Sequence, residues 1–397
     1  MLSRKTGRFR RNGLALLVIL TLIGLTFPVH ATELNVALYP YVPRPDQFKT
    51  VLSASWNRIH PDVPLNFVTW DCYSADPPSS LDVFVFDAIF LSSFQARGYL
   101  DPIQRCEIDG VDDYLSFALE GCRLGQAYGA IPQLACTHVL FYRKGDDEIA
   151  RAETLSGLTR VLGEHTYTGI VPPEGVGLMV NLSGKSTDAC LYVDALEDIY
   201  GVYTSDPPLA PDASKICSWS IQNLRQVLRM ASVTNAQYSD SDSYIRGEWF
   251  GAGYGRALVG FTESISVMSD RGRQTVAFKP MPLADRTNVC LFYADVIGIH
   301  PATRDRGTRS LALELANLMA STSVVVDSIG PRTGAPYPQY LLPTRHSVFR
   351  SLELAFPLYA EMYEMVKSDE AVLFRLGADG RAWLPAMKAV IYRLIFE

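Results

Sequence analysis

One cysteine and three carboxylates carry most of the chemistry this sequence can offer. Cys136 lies in Pro132-Gln133-Leu134-Ala135-Cys136-Thr137-His138, a stretch that reads as extended. Alternate side chains of an extended segment share a face, so Cys136 and His138 are expected to point the same way. A thiol at the floor of a cleft attacks a bound electrophile once deprotonated, which takes a base or a local positive charge. Two bases are candidates: His138, close in sequence, and Glu263, distant in sequence within Gly260-Phe261-Thr262-Glu263-Ser264. Asp87 closes the apolar run Leu81 to Phe86, at the kind of strand end where α/β sheets bind ligands. Asp295 stands in the otherwise apolar Leu-Phe-Tyr-Ala-Asp-Val-Ile-Gly-Ile, and a carboxylate there has to be paired or to serve a ligand. Plainer readings stand beside these: a structural or disulfide-bonded Cys136, a surface or capping Glu263, a helix-capping Asp87, and an Asp295 that partners an arginine or a backbone amide.

The elements that would position these residues alternate between strand and helix. Leu34 to Leu38, Leu65 to Trp70 and Leu81 to Phe86 read as strands, and Phe48 to Ile59 and Ala88 to Ala96 carry helical spacing. The alternation predicts an α/β domain with a parallel sheet. Ala127 to Arg143 reads as two extended segments around Pro132. Helices are expected over Asp113 to Leu124, Ala150 to Leu162, Asp188 to Tyr200, Ser220 to Met230, Arg309 to Met319, Leu358 to Val366 and Leu384 to Ile395. Ala257 to Phe261, Thr275 to Met281 and Val289 to Ile299 read as strands. The order predicts an α/β, two-lobed periplasmic-binding-protein-like fold with a ligand cleft between the lobes. Its expected parts are 1–31 as a signal peptide, 32–135 as the first part of the N-terminal lobe, 136–290 as the second lobe, and 291–397 as the return to the first lobe with C-terminal helices. The frame Ala127 to Leu134 with His138 to Asp146 resembles the crossing segment of extracellular solute-binding proteins. Pro336 to Phe349 resembles their C-terminal segment. Such folds close over a ligand by a hinge and work as monomers.

Composition narrows the partners. Of 397 residues, 48% are apolar and 20% charged, which excludes a disordered or coiled-coil chain. Arg4, Lys5, Arg8, Arg10 and Arg11 fall in the first 31 positions with no acid among them, so the body is more acidic than the net charge of −6. Such a body repels phosphate backbones, and no nucleic-acid partner is expected. That basic stretch, the apolar run Gly13 to Phe27 and the small-x-small pattern Val29-His30-Ala31 have the layout of a cleaved secretory signal. The apolar run falls short of the roughly 20 residues a spanning helix needs. The mature protein is therefore expected to be secreted or periplasmic, with no stable membrane insertion. Export permits disulfides. Cys106 with Cys122, Cys190 with Cys217 and Cys72 with Cys290 are the pairings to try first, leaving Cys136 single. No CxxC, HExxH or His-rich tract supports a metal site. Asn181 to Ser186 resembles a phosphate loop, but Met179 stands where that motif needs glycine.

Six stretches together resemble the thiaminase I (thiamine pyridinylase) family. They are LNVALYPYVPRPDQF, WDCYSADPPSSLDVFVFDAIFLSSF, AYGAIPQLACTHVLFYRKGD, SGKSTDACLYVDALEDIYG, YGRALVGFTESISVM and CLFYADVIGI, in one order across nearly the whole mature chain. The resemblance implies the binding-protein fold, no cofactor, and base exchange on thiamine. A cleft thiolate adds to the pyrimidine ring, thiazole leaves, and an amine or thiol acceptor replaces it. It places the nucleophile at Cys136 and the general base at Glu263. It favours Asp87 and Asp295 as contacts to the pyrimidine or the thiazolium, with Tyr39, Tyr41, Tyr73, Tyr244 and Tyr293 as a cleft lining able to stack on rings or hold a cation. Phe261 stands where the family is expected to carry tyrosine, and His138 where an asparagine-like residue is expected. Two other functions fit parts of the pattern. A non-catalytic binding protein for thiamine or a related pyrimidine needs neither Cys136 nor Glu263, and a Cys136–His138 hydrolase would use the nearer base.

Overall fold

The computed structural model describes residues 33–165, 171–172, 174, 177–201, 209–239, 244–286, 291–367 and 371–397. The expected signal segment and Cys290 lie outside these residues. The strands are β1 (Leu34–Ala37), β2 (Leu65–Phe67), β3 (Val83–Asp87), β4 (Arg123–Leu124), β5 (Ala127–Tyr128), β6 (Ile131–Cys136), β7 (Val139–Arg143), β8 (Leu178–Met179), β9 (Ala257–Gly260), β10 (Val276–Pro280), β11 (Leu291–Ile299), β12 (Leu342–Pro343) and β13 (Val372–Leu373). One sheet has the order β12-β6-β11-β3-β1-β2, with β13 on β11; a second has the order β10-β7-β9-β8. The small β4–β5 pair stands apart.

In the first sheet β1 runs parallel to β2 and β3, while β11 is antiparallel to both β3 and β6. All five residues of β3 are buried, as expected of a strand covered on both faces. Helix Pro45–Ile59 packs on helix Thr322–Ile329 beside this sheet. Its burial of Phe48, Leu52 and Trp56 follows the helical spacing of those residues. Helix Ser218–Ala231 packs on β8 of the second sheet, and helices Leu155–Leu162 and Ser186–Tyr200 pack on that helix in turn.

The chain changes sheets between Cys136 and Val139, and again between Pro280 and Leu291. The break therefore falls at Thr137-His138, not at Pro132 as the sequence predicts. Pro132 sits inside β6, opposite Val296, and the β6–β11 register shifts between Asp295 and Val296. Proline has no N–H for the ladder, and a bulge in β6 itself accommodates it: consecutive Asp295 and Val296 face Leu134 and Pro132, leaving Gln133 as the extra residue. The final helix, Gly380–Phe396, packs on helices Ser186–Tyr200 and Ser218–Ala231 of the second lobe. Arg225 donates to the Leu394 carbonyl and Trp383 Nε1 to that of Ala210.

The expected disulfides are corrected here. Cys106, Cys122, Cys190 and Cys217 are all free thiols. Cys106 is exposed on a short turn while Cys122 is sealed in the core, and Cys190 lies among cleft carboxylates. Cys72 is also free and buried, and its expected partner Cys290 is outside the described residues.

Gly298 marks how tightly β11 is packed. A Cβ at this position would lie 2.9 Å from Leu100 Cδ2, 3.0 Å from Phe86 Cε1 and 3.1 Å from Phe84 Cζ. Overpacking of this kind costs about 1–3 kcal/mol. Gly298→Ala is expected to lower the urea midpoint with an unchanged slope; a variant as stable as the parent would show that the rings yield freely.

Candidate active site

Sheet register gathers the chemistry. Cys136 ends β6 directly opposite Tyr293 of β11, and Asp295 of β11 lies opposite Leu134 on one side and Asp87 of β3 on the other. Opposed side chains in neighbouring strands share a face, and alternate residues along β11 do too. Cys136, Tyr293, Asp295 and Asp87 therefore meet on one face of the first sheet. Glu263 arrives from the second lobe, on the 3-10 helix Thr262–Val267 that follows β9.

Each ionisable group here bears the mark of crowding. Burial pushes the Glu263 carboxyl up to about 7. The residue is 6% exposed, and its Oε2 has no hydrogen-bond partner among the described residues. Burial pushes Asp87 up to about 6, against the help of two donors: Tyr73 OH at 2.5 Å and the Ile89 N–H at 3.0 Å. Asp87 is thus both a helix cap and part of the cleft. Asp295 is raised well above the usual range, first by burial, then by the charges of Asp87 and Glu263. Like charges directly opposite in a sheet are destabilising. Cys136 is half-buried, and its thiol is pushed up by burial and by Glu263, Asp295, Asp87 and Cys190 in that order. Its thiolate therefore needs a base, and the carboxylate acting on it most strongly is Glu263. This pattern is a proton donor and acceptor whose buried environment favours both neutral forms.

The tyrosines divide into groups. Tyr39, Tyr41 and Tyr73 form an edge-to-face chain, with ring centres 5.4 and 5.7 Å apart, which continues to Phe90 at 5.3 Å. Burial, and then Tyr73, Asp295, Asp87 and Cys72, raise Tyr39. Tyr41 is half exposed and donates to Asp71. Tyr293 is buried and donates to Asp194 Oδ1 at 2.9 Å. Tyr244 stands before helix Ile245–Ala252, which packs on the turn carrying Glu263.

His138 does not pair with Cys136 as the strand spacing predicts. The strand ends at Cys136, and His138 turns instead to helix Ser186–Tyr200, its Nδ1 2.5 Å from Asp194 Oδ2. Sequence reasoning missed Asp194 and placed Cys190 in a disulfide. Both lie one helical turn apart on a largely buried helix. An acid and a thiol at that spacing among Leu191, Tyr192, Val193 and Ala195 are the signal that was available.

With this geometry in place, known proteins can be compared. The family described as the Thiaminase-1 domain matches residues 137–284. Thiaminase-1 of Paenibacillus thiaminolyticus is 42% identical over 364 residues, 90% of this chain and 87% of that protein. The chain belongs to the thiaminase I family. Membership carries the enzyme class, a thiamine-degrading base-exchange transferase. The solved thiaminase I of Clostridium botulinum, in complex with thiamin, has a TM-score of 0.89 and 39% identity, covering 92% of this chain and all of its own. That of Bacillus thiaminolyticus has a TM-score of 0.86 at 39% identity, covering 91% and 99%. A maltose-bound binding protein of T. maritima, 16% identical with a TM-score of 0.65 over 92% of this chain and all of its own, shares the fold. The two-lobed periplasmic-binding-protein architecture is thus the observed one.

Ionising Glu263 inside this fold works against stability. Its value of about 7 lies above the ordinary 4.5, so the contribution of its neutral form is full below 4.5 and lost as pH rises through 7. Glutamine stays neutral throughout. Glu263→Gln is expected to melt higher than the parent at pH 8 by an amount worth about 3 kcal/mol, with the gap shrinking toward pH 5. A gap independent of pH would contradict the burial of that carboxyl.

Proposed function

We propose that this protein is an exported enzyme that cleaves thiamine through a covalent intermediate on Cys136, with Glu263 as the general base. The carrying observation is a free, half-buried thiol whose strongest charged neighbour is a buried carboxylate with a value near 7. A base with that value is ionised in good part at neutral pH and still accepts a proton readily, and such help typically contributes about 100- to 10,000-fold.

The substrate's charge fits the site. Thiamine joins an aminopyrimidine through a methylene to a cationic thiazolium. Asp87, Asp295 and Glu263 supply negative charge, and the Tyr39–Tyr41–Tyr73 chain supplies ring faces and edges. A bound cation lowers the cost of ionising each carboxylate and the thiol. As sulfur bonds to the pyrimidine ring, thiazole departs with the electron pair of its C–N bond and becomes neutral. An amine or thiol then takes its place on the methylene carbon. Two lobes contributing to one cleft need no second subunit, which fits a monomer. Export follows from the basic and apolar layout of positions 4–31; among the described residues no single helix is long and apolar enough to cross a membrane.

Cys136→Ser is expected to bind thiamine and release no thiazole. The unmodified protein, incubated with thiamine and aniline, is expected to yield a pyrimidine–aniline adduct and free thiazole by mass spectrometry. An unmodified protein that binds thiamine yet never releases thiazole would instead be a transport-type binding protein. Activity retained in Glu263→Gln but lost on replacing His138 would point to a Cys136–His138 hydrolase.

A further inference from the structure

The reaction leaves one proton without a recipient. Glu263 takes the thiol proton when sulfur attacks, and thiazole carries none away. The acceptor then bonds to the methylene carbon, the C–S bond breaks with its electron pair returning to sulfur, and sulfur recovers the proton held by Glu263. An amine or thiol acceptor has a proton of its own to lose while Glu263 is still occupied. Pyridine, a tertiary nitrogen, has none.

A second base of suitable form packs on Phe261, in the segment that carries the first. Asp194 accepts two hydrogen bonds, from Tyr293 OH at 2.9 Å and at its other oxygen from His138 Nδ1 at 2.5 Å. Two donors on one carboxylate fit its ionised form, and the imidazole then carries its proton on Nδ1. Nε2 of the neutral ring is left with a lone pair. That atom is buried and has no hydrogen-bond partner among the described residues, on a residue 5% exposed. A buried ring nitrogen with no protein partner is costly to maintain unless a ligand uses it. The ring lies between the two halves of the site. Its centre is 4.8 Å from that of Phe261, two residues before Glu263, and 5.7 Å from that of Tyr293, the register partner of Cys136. A carboxylate orienting an imidazole so that the far nitrogen takes a proton is the arrangement general bases use in acyl transfer. The charged or titratable groups facing the ring are Asp194 from its helix and Tyr293 from β11.

We propose that His138, oriented by Asp194, is the base that takes the proton from the incoming acceptor in the second half of the reaction. The amine nitrogen bonds to the methylene carbon, its N–H proton passes to His138 Nε2, and the C–S bond to Cys136 breaks; the imidazolium loses its proton to water when the lobes open. This rests on the covalent reading above.

The test compares acceptors that do and do not carry a proton. Exchange of thiamine with aniline and with pyridine is measured by thiazole release and product mass for the parent, His138→Asn and Asp194→Asn. In both variants the aniline-to-pyridine rate ratio is expected to fall roughly 100-fold or more, within the range general-base help supplies. Asp194→Asn keeps the size of the side chain and carries the test should His138→Asn fail to fold. Equal losses with both acceptors would assign the pair a structural role, and unchanged rates would make His138 a bystander; either overturns the proposal. A parent inactive with both acceptors would overturn the covalent reading itself, and this proposal with it.

Discussion

Everything in this cleft answers to one electrostatic constraint: negative charge gathered where water is scarce. Asp87 and Asp295 face each other across neighbouring strands, and Glu263 joins them from the opposite lobe. Tyr73 and the Ile89 amide relieve Asp87 in part. The arrangement settles either by holding protons or by admitting a cation. In the proposed reaction a thiazolium ion would meet the second condition, and its conversion to neutral thiazole would remove the charge that held it. On that proposal, recognition and product release follow from the same imbalance.

Strand β11 is where this constraint is built. It lies between β6 and β3, antiparallel to both, and carries Tyr293 and Asp295 on one face. The register shift after Asp295 lets β6 keep Pro132 and still end with Cys136 opposite Tyr293. Glu263 and Asp194 both come from the second lobe. The proposed site therefore draws on both lobes, and the segment Thr137-His138 that joins the sheets carries the base proposed for the acceptor.

Much of the scaffold was legible in the residues. Helices Arg309–Met319 and Leu358–Val366 were read to the residue, because apolar side chains recur there at helical spacing. Helices Thr322–Ile329 and His346–Glu353 went unread; they are eight residues each, too short for periodicity to stand out. The direction of His138 was misread because alternation holds only while a strand continues, and this one ends at Cys136. The disulfides were misread because spacing between cysteines says nothing of whether their side chains meet.

The residue types are written along the chain: a single thiol beside a crossing segment, carboxylates at strand positions that cannot leave them idle, and an order of motifs shared with thiaminase I. Those properties are local, since they depend on neighbours along the chain. Tertiary structure alone decided which of them meet. Register set Asp295 against Asp87, the packing of the second lobe put Glu263 within electrostatic reach of Cys136, and a helix beginning fifty residues beyond β6 claimed His138 through Asp194. Contacts between distant segments depend on pairing and packing, and no local pattern encodes them.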